Sequence, residues 1–101
     1  MNIPDLISFV EKSQVQELQV LKNKANDYAN TDVFSNFMKT AAIVGLEPDK
    51  VFQMLLAVKL CRIVELTSGK EAKNESLDDT MLDMANYAKL YRAYLSEKTI
   101  T

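Results

Sequence analysis

The sequence predicts an all-α fold, a bundle of four main helices formed by a single domain over residues 1–101. The chain has only two glycines and two prolines, and three of these four lie where a helix is expected to begin or end. Apolar residues recur at intervals of three and four, and no segment shows the strict alternation of a strand. With 48% hydrophobic residues, a chain of this length can bury one modest core, which a second subunit would extend.

The first helix is expected from Pro4 to Ala29, because proline suits the first turn of a helix. The middle of this segment, "EKSQVQELQ", is polar, and a break near Ser13 is compatible with it. The apolar positions at helical spacing are Ile3, Leu6, Ile7, Val10, Leu18, Leu21, Ala25 and Tyr28.

The second helix is expected after "NTD", with Asn30 or Thr31 as its cap, and Gly45 closes it. Its apolar face consists of Phe34, Phe37, Met38 and Ala41. The third helix begins at Pro48, directly after Glu47, and ends before Gly69.

The third helix, "VFQMLLAVKLCRIVEL", carries apolar residues on every side, which is typical of a central and largely buried helix. This pattern predicts a core position for Cys61, and its apolar surplus favours a homodimer. The five methionines of the chain are also expected to fill the core and not to form a binding surface. Lys59, Arg62 and Glu65 interrupt the helix at intervals of three. A charge at such a position needs a partner, an open cleft or a ligand, since burying it alone is costly.

The fourth helix is expected from Ser76 to about Glu97, with Ser76 as its N-cap and Asp79 three residues on, as in a capping box. One stripe of this helix carries Asp79, Asp83 and Asn86 or Tyr87, followed by the apolar Leu90. If the third and fourth helices pack as antiparallel neighbours, Lys59 and Arg62 come within reach of Asp79 and Asp83.

This charged cluster has two interpretations that the residues alone leave open. In the first, it is a structural network of ion pairs that fixes the register of two helices. In the second, Lys59 and Arg62 contact phosphate. Asp79 and Asp83 then hold Mg²⁺ or bind a sugar or base, and the rest of the ligand is positioned with the help of Asn86 and Tyr87.

A second group of residues lies at the corner between the first two helices, in "KNKANDYANTDVFSNF". Caps and a turn explain its Asn, Asp and Thr residues, and spacing alone favours that interpretation. The alternative is the rim of a ligand site, with Tyr28 or Phe37 stacked on a base and Lys24 near phosphate. Lys24, Tyr28 and Asn36 are therefore candidate ligand residues.

Several classes of function lack their usual residues. Histidine, the commonest general base and metal-binding nitrogen, is absent, and so are a glycine-rich phosphate loop, zinc-ligand spacing and a nucleophile elbow. The net charge of −2 and the pI of about 5.1 give no basic excess, so direct nucleic-acid binding is not expected.

The composition also predicts the compartment. The one cysteine cannot form an intramolecular disulfide, which indicates a reducing environment. No apolar run approaches the roughly 20 residues of a membrane span, and the N-terminus has neither the basic region nor the cleavage site of a signal peptide. The sequence therefore predicts a cytosolic protein without a membrane partner.

Four groups of residues follow one another along the chain: Lys24-x3-Tyr28, Phe34-x-Asn36-Phe37, Lys59-x2-Arg62 and Glu75-Ser76-x2-Asp79-Thr80-x2-Asp83-x2-Asn86-Tyr87-Ala88. This order resembles a small phage and prophage family, the nucleotide-modification-associated domain, type 1. The resemblance covers roughly residues 20 to 95, and the fourth-helix motif is its most specific part. The family is known largely from genome context near phage nucleotide and DNA-base modification genes. The resemblance implies a phage-encoded protein that works on or around nucleotides in the host cytoplasm.

The same family is distantly similar to all-helical nucleoside triphosphate pyrophosphohydrolases of the MazG and dimeric dUTPase type. Those enzymes hold Mg²⁺ with a Glu-Glu-x-x-Glu helix and a Glu-x-x-Asp helix. Asp79 and Asp83 correspond to the second acidic pair, but the third helix offers Lys59 and Arg62 where acids are needed, with only Glu65 nearby. This chain therefore lacks the acidic residues for half of that metal site. Lys59 and Arg62 suit phosphate binding better than metal binding.

Three hypotheses follow. The leading one is a phage accessory protein that binds a nucleotide or nucleotide-derived ligand, with or without Mg²⁺. The second is a Mg²⁺-dependent nucleotide pyrophosphohydrolase that uses Asp79 and Asp83 with Glu65 and Glu75. The third is an anti-defence protein that inhibits a host protein or sequesters a signalling nucleotide.

Overall fold

The computed structural model describes residues 1–25, 32–69 and 76–100, and within these ranges the protein is all-helical without a strand. The helices are α1 (Ile3–Ala25), α2 (Ser35–Val44), α3 (Pro48–Thr67) and α4 (Leu77–Ile100). The predicted all-α class with four main helices is confirmed. Two compact units divide the chain, Met1–Thr31 and Asp32–Thr101. None of the described helices combines the length and apolar character that crossing a membrane needs.

The first unit contains α1, which runs without interruption from Ile3 to Ala25. The break considered near Ser13 is therefore wrong. The Ser13 hydroxyl lies 3.5 Å from Glu17 Oε1, four residues on, as neighbours on one helical face do. At the start of the helix, Asn2 Oδ1 accepts the backbone N–H of Asp5 at 2.8 Å, which supplies an N-terminal cap.

The second unit begins with a turn, and α2 starts later than the sequence predicted. Asp32 Oδ1 accepts the N–H of Phe34 at 2.9 Å, so the aspartate side chain stabilises a turn ahead of the helix. Asn30 and Thr31, the predicted caps, lie outside the described residues. The predicted end at Gly45 is confirmed: its φ of 71° is in the left-handed region, and its N–H donates to the carbonyl of Ala41.

The ends of α3 and α4 follow local signals in the sequence. Pro48 opens α3 behind an extended Glu47, and the helix ends at Thr67. At the start of α4, the N–H of Asp79 donates to Ser76 Oγ at 3.0 Å, and the N–H of Ser76 donates to Asp79 Oδ2 at 3.4 Å. The predicted capping box is confirmed, and α4 continues to Ile100, beyond the expected end.

Replacing Ser76 with alanine is expected to lower the free energy of unfolding by about 1 kcal/mol, because the N–H of Asp79 loses its side-chain acceptor. Urea denaturation followed by circular dichroism measures the change. Ser96→Ala is the matched control: this exposed serine lies near the other end of α4, and its hydroxyl donates to the carbonyl of Ala93. Equal losses in the two variants would contradict the capping role.

The core of the second unit is an aromatic stack at which α2, α3 and α4 meet. Phe52 lies at its centre and is 0% exposed. The rings of Phe37 and Tyr91 stack on Phe52 at centroid distances of 4.6 and 5.0 Å. Phe34 and Tyr94 approach the same ring at 6.3 and 5.3 Å. Phe34 is buried, and Phe37 is half-buried and packs on this core, in agreement with the structural interpretation of the corner.

Helices α3 and α4 pack antiparallel, as predicted. Polar contacts join them, and in these pairs the residue number falls along α4 as it rises along α3. The joined pairs are Asp49 with Lys98 at 3.6 Å, Gln53 with Tyr91 at 3.3 Å, and Lys59 with Asp83 at 3.1 Å.

The expectation that α3 is largely buried is wrong for this chain. Among the described residues of α3, only Val51 and Phe52 are buried, while Met54, Val58, Leu60 and Val64 are exposed. Cys61, predicted to lie in the core, is exposed as well. Four of the five predicted core methionines are also exposed: Met1, Met38, Met54 and Met81. The contacts of α3 with α2 and α4 cover one side of it and leave its opposite side open.

Candidate ligand site at the α3–α4 seam

The site is built around one ion pair between α3 and α4. Lys59 Nζ donates to Asp83 Oδ2 at 3.1 Å. The two side chains are 18% and 24% exposed, so water still reaches the pair. The antiparallel packing brings together the two charges that the sequence placed on apolar faces. A pair of this kind fixes helix register, and its partial exposure leaves it open to exchange with a ligand.

Arg62 lies one turn after Lys59, but it does not reach the aspartates of α4. Its guanidinium Nη1 lies 3.8 Å from Glu65 Oε2 on the same helix, which is too long for a hydrogen bond. Among the described residues this is its only ionic contact. The side chain is partly buried, at 30% exposed, and its guanidinium retains most of its five N–H donors for a further acceptor.

Asp79 is placed differently from the prediction. It is exposed at the start of α4, and its carboxylate accepts the N–H of Ser76 within the capping box. Within the described part of the chain, its hydrogen bonds are those with Ser76, not with Lys59 or Arg62. The bond to the backbone at the start of α4 fixes the position of this carboxylate. An ion pair with α3, which the sequence analysis considered, is not needed to hold it there.

The remaining residues of the α4 motif are covered to different degrees. Asn86 is buried and Tyr87 is half-buried, and both make contacts within the protein. Thr80 is fully buried, and its hydroxyl donates to the carbonyl of Ser76 at 2.9 Å. Thr80 was not a candidate in the sequence analysis, because a threonine hydroxyl bonded to its own helix carries no charge signal.

The three candidates at the α1–α2 corner do not form a described cluster. Lys24 is an exposed residue of α1 in the first unit, and Asn36 is an exposed residue of α2 in the second. Tyr28 lies outside the described residues.

The sequence analysis also considered a Mg²⁺ site at Asp79 and Asp83. Across residues 1–25, 32–69 and 76–100, no three cysteine or carboxylate side chains form a group able to hold a metal ion. Asp79 and Asp83 lie one turn apart on α4, but one caps the helix and the other binds Lys59. A Mg²⁺ ion held by both would have to replace these contacts. Glu75, a further candidate, lies outside the described residues.

The side of α3 that faces away from α4 was missed by the sequence analysis. We call it the outer face: Met54, Ala57, Val58, Cys61 and Val64, all exposed. A groove of about 470 Å³ lies on it, lined by Met54, Ala57, Val58 and Cys61, with Arg62 and Glu65 at one end. The sequence does contain a pattern that indicates this face: Met54, Ala57, Cys61 and Val64 alternate in spacing between three and four. The pattern is hard to recognise, because α3 carries apolar residues on every side.

Comparisons with family models, with curated proteins and with solved structures found no match to this chain.

Proposed function

We propose that this protein binds the phosphate group of a nucleotide or nucleotide-derived ligand, as a phage accessory protein of nucleotide or DNA-base modification in the host cytoplasm. Arg62 is the main phosphate contact. The observation that carries the proposal is the Arg62 side chain, which is only 30% exposed and whose guanidinium has one described ionic partner at 3.8 Å, beyond hydrogen-bonding distance.

The chemistry of the guanidinium supports phosphate as the ligand group. Its planar fork presents parallel N–H donors that match two oxygens of a phosphate. Lys59, three residues earlier on α3, adds positive charge beside it. Because Lys59 already binds Asp83, we expect it to contribute less to affinity than Arg62.

The rest of the ligand is assigned to the α4 side of the seam. Asp83, Asn86 and Tyr87 supply carboxylate, amide and phenol groups within one turn of each other. These groups suit the hydroxyls of a sugar or the edge of a base. The resemblance to a phage family found near nucleotide-modification genes favours a nucleotide over other phosphates, and the net charge of −2 favours a small ligand over a nucleic acid.

A thermal-shift and calorimetric screen of nucleotides, deoxynucleotides and cyclic dinucleotides tests the proposal. A ligand at one hundred times its dissociation constant stabilises the protein by about 2.7 kcal/mol, a measurable shift for a domain of this size. We expect Arg62→Ala to raise the dissociation constant at least about tenfold, which corresponds to one charged hydrogen bond.

The matched control is Arg92→Ala, since Arg92 is the other arginine of the chain and lies exposed on α4. We expect it to leave the affinity unchanged. Equal losses in the two variants would remove Arg62 from the site. An absence of binding across the whole panel would leave Lys59 and Asp83 as a structural pair and favour the third hypothesis, an interaction with a host protein.

The enzyme alternative rests on Asp79 and Asp83, which lie on successive turns of α4 as paired metal ligands often do. It predicts Mg²⁺-dependent release of pyrophosphate from a nucleoside triphosphate, and loss of that activity in Asp83→Asn. Ligand binding that is independent of Mg²⁺, with no pyrophosphate released, would favour the binding protein.

A further inference from the structure

The outer face of α3 is an apolar surface that its own unit leaves open. Met54, Ala57, Cys61 and Val64 follow the alternating spacing of three and four that places residues on one seam of a helix. Val58 broadens the seam and is 62% exposed. A helix side of this kind is usually covered by another helix, because exposed apolar surface of this continuity is uncommon on a monomer.

The groove on this face has the form of a protein contact and not of a small-molecule pocket. All of its described lining residues belong to α3, so within the described ranges it has a floor and no opposite wall. A small-molecule site encloses most of the ligand surface, which requires walls from more than one element. The missing wall is therefore best supplied by a second helix.

We propose that the outer face of α3 pairs with the same face of a second copy of this chain, antiparallel about a two-fold axis that passes between Ala57 and Val58. The charges that flank the face define this axis. Lys50 and Glu65 are fifteen residues apart on α3, and the midpoint between them lies between Ala57 and Val58. The axis therefore brings Lys50 beside Glu65 of the partner subunit, and the reverse pair forms by symmetry.

Both charged residues are accessible for this pairing. Lys50 is exposed, and its ammonium donates to Gln53 Oε1 at 3.2 Å on the same helix. Glu65 is exposed and lies 3.8 Å from Arg62. Ala57 is small and lies at the centre, where it permits the close approach of two helices, and Met54 faces Cys61 of the partner subunit. Arg62 stays at the edge of the paired surface, so this inference does not depend on the proposed ligand site.

The area available fits a reversible dimer. Three residues of the outer face, Met54, Val58 and Val64, are each more than half exposed. With Ala57 and Cys61 they present on the order of 300 Å² of apolar side chain per copy, taking about 30 Å² for each methylene group. Two copies bury about 600 Å², and an interface that is roughly 60% apolar then totals about 1,000 Å². This is near the lower limit for a specific interface, about 1,000–1,200 Å².

Sedimentation velocity of the full chain over a concentration series tests the pairing. We expect a concentration-dependent dimer, and we expect Val58→Glu to abolish it, because two carboxylates would meet near the axis. Ile43→Glu is the matched control: Ile43 is 84% exposed on α2, away from the outer face, and its variant should still dimerise. Circular dichroism confirms that both variants fold. A chain that stays monomeric throughout, or a dimer that Val58→Glu leaves intact, overturns the proposal.

A charge exchange tests the register. Lys50→Glu and Glu65→Lys are each expected to weaken the dimer about tenfold, since two attractive pairs become repulsive. The double variant is expected to restore the dissociation constant, because the pairs form again with their signs reversed. Two single losses that simply add in the double variant overturn this register.

Cysteine crosslinking gives an independent distance test. In the proposed pairing the two Cys61 residues are offset by about 10 Å along the helix axes, too far for a disulfide. Met54→Cys places a thiol opposite Cys61 of the partner subunit. Under mild oxidation we expect a covalent dimer from Met54→Cys and little from the unmodified chain. The opposite result overturns the two-fold position.

Discussion

Replacement of Phe52 with alanine is expected to lower the free energy of unfolding by about 3–5 kcal/mol. Phe52 is completely buried, and its ring contacts those of Phe37 and Tyr91 by stacking and those of Phe34 and Tyr94 at steeper angles. Alanine would leave a cavity at the point where three helices meet. Because domains of this size are stable by only about 5–15 kcal/mol, the loss removes a large share of the total.

Urea denaturation followed by far-ultraviolet circular dichroism measures this change. Phe9→Ala is the matched control, because Phe9 is an exposed phenylalanine of α1 and its loss creates no cavity. We expect the control to change stability by about 0.5 kcal/mol or less. Phe52→Leu should fall between the two, since leucine fills part of the space. Similar losses at positions 9 and 52 would show that the aromatic stack is not the core of the second unit.

The helix ends were predictable because each depends on the chemistry of a few neighbouring residues. Ser76 and Asp79 satisfy each other's backbone N–H groups, and Pro48 has no N–H to satisfy. Gly45 takes a backbone conformation that costs other residues energy. The start of α2 was less predictable, because Asp32 competes for the same segment with a turn of its own.

The burial of α3 was not predictable, because its apolar residues do not indicate which of its sides this chain covers. Phe52 and Met54 are both apolar and two positions apart, yet one is the centre of the core and the other is exposed. Cys61 was misplaced for the same reason. A helix that is apolar on every side can be buried in a large internal core, or it can present a surface to another molecule. Both situations produce the same sequence pattern.

Half of the charged seam was predictable from helix geometry. Lys59 and Asp83 meet because two antiparallel helices place their inward faces together. Arg62 does not reach the aspartates of α4 as predicted. Three residues along a helix amount to about 300°, so its side chain is rotated about 60° from that of Lys59. It points away from the aspartates and toward Glu65. This rotation places Arg62 at the edge of the seam.

The second large effect is expected at the Lys59–Asp83 pair, where a double-mutant cycle separates its two interpretations. Lys59→Met and Asp83→Leu should each lower the free energy of unfolding by about 1–2 kcal/mol, because each removes the 3.1 Å ion pair while one half-buried charge remains. The double variant should lose less than the sum, with a coupling of about 1–2 kcal/mol. The matched cycle is Lys98→Met with Asp49→Leu, a longer and more exposed pair, for which we expect weaker coupling.

Stability and ligand binding must be measured on the same four proteins, because each interpretation predicts a different combination. If the pair only fixes the register of α3 and α4, the double variant should be nearly as stable as the original chain and should bind nucleotides as well. If Lys59 and Asp83 belong to the ligand site, the double variant should regain stability and still bind more weakly. Apolar side chains can replace a structural ion pair, but they cannot replace the charge that a phosphate needs. A double variant that stays as unstable as the sum of its singles would contradict the pairing itself.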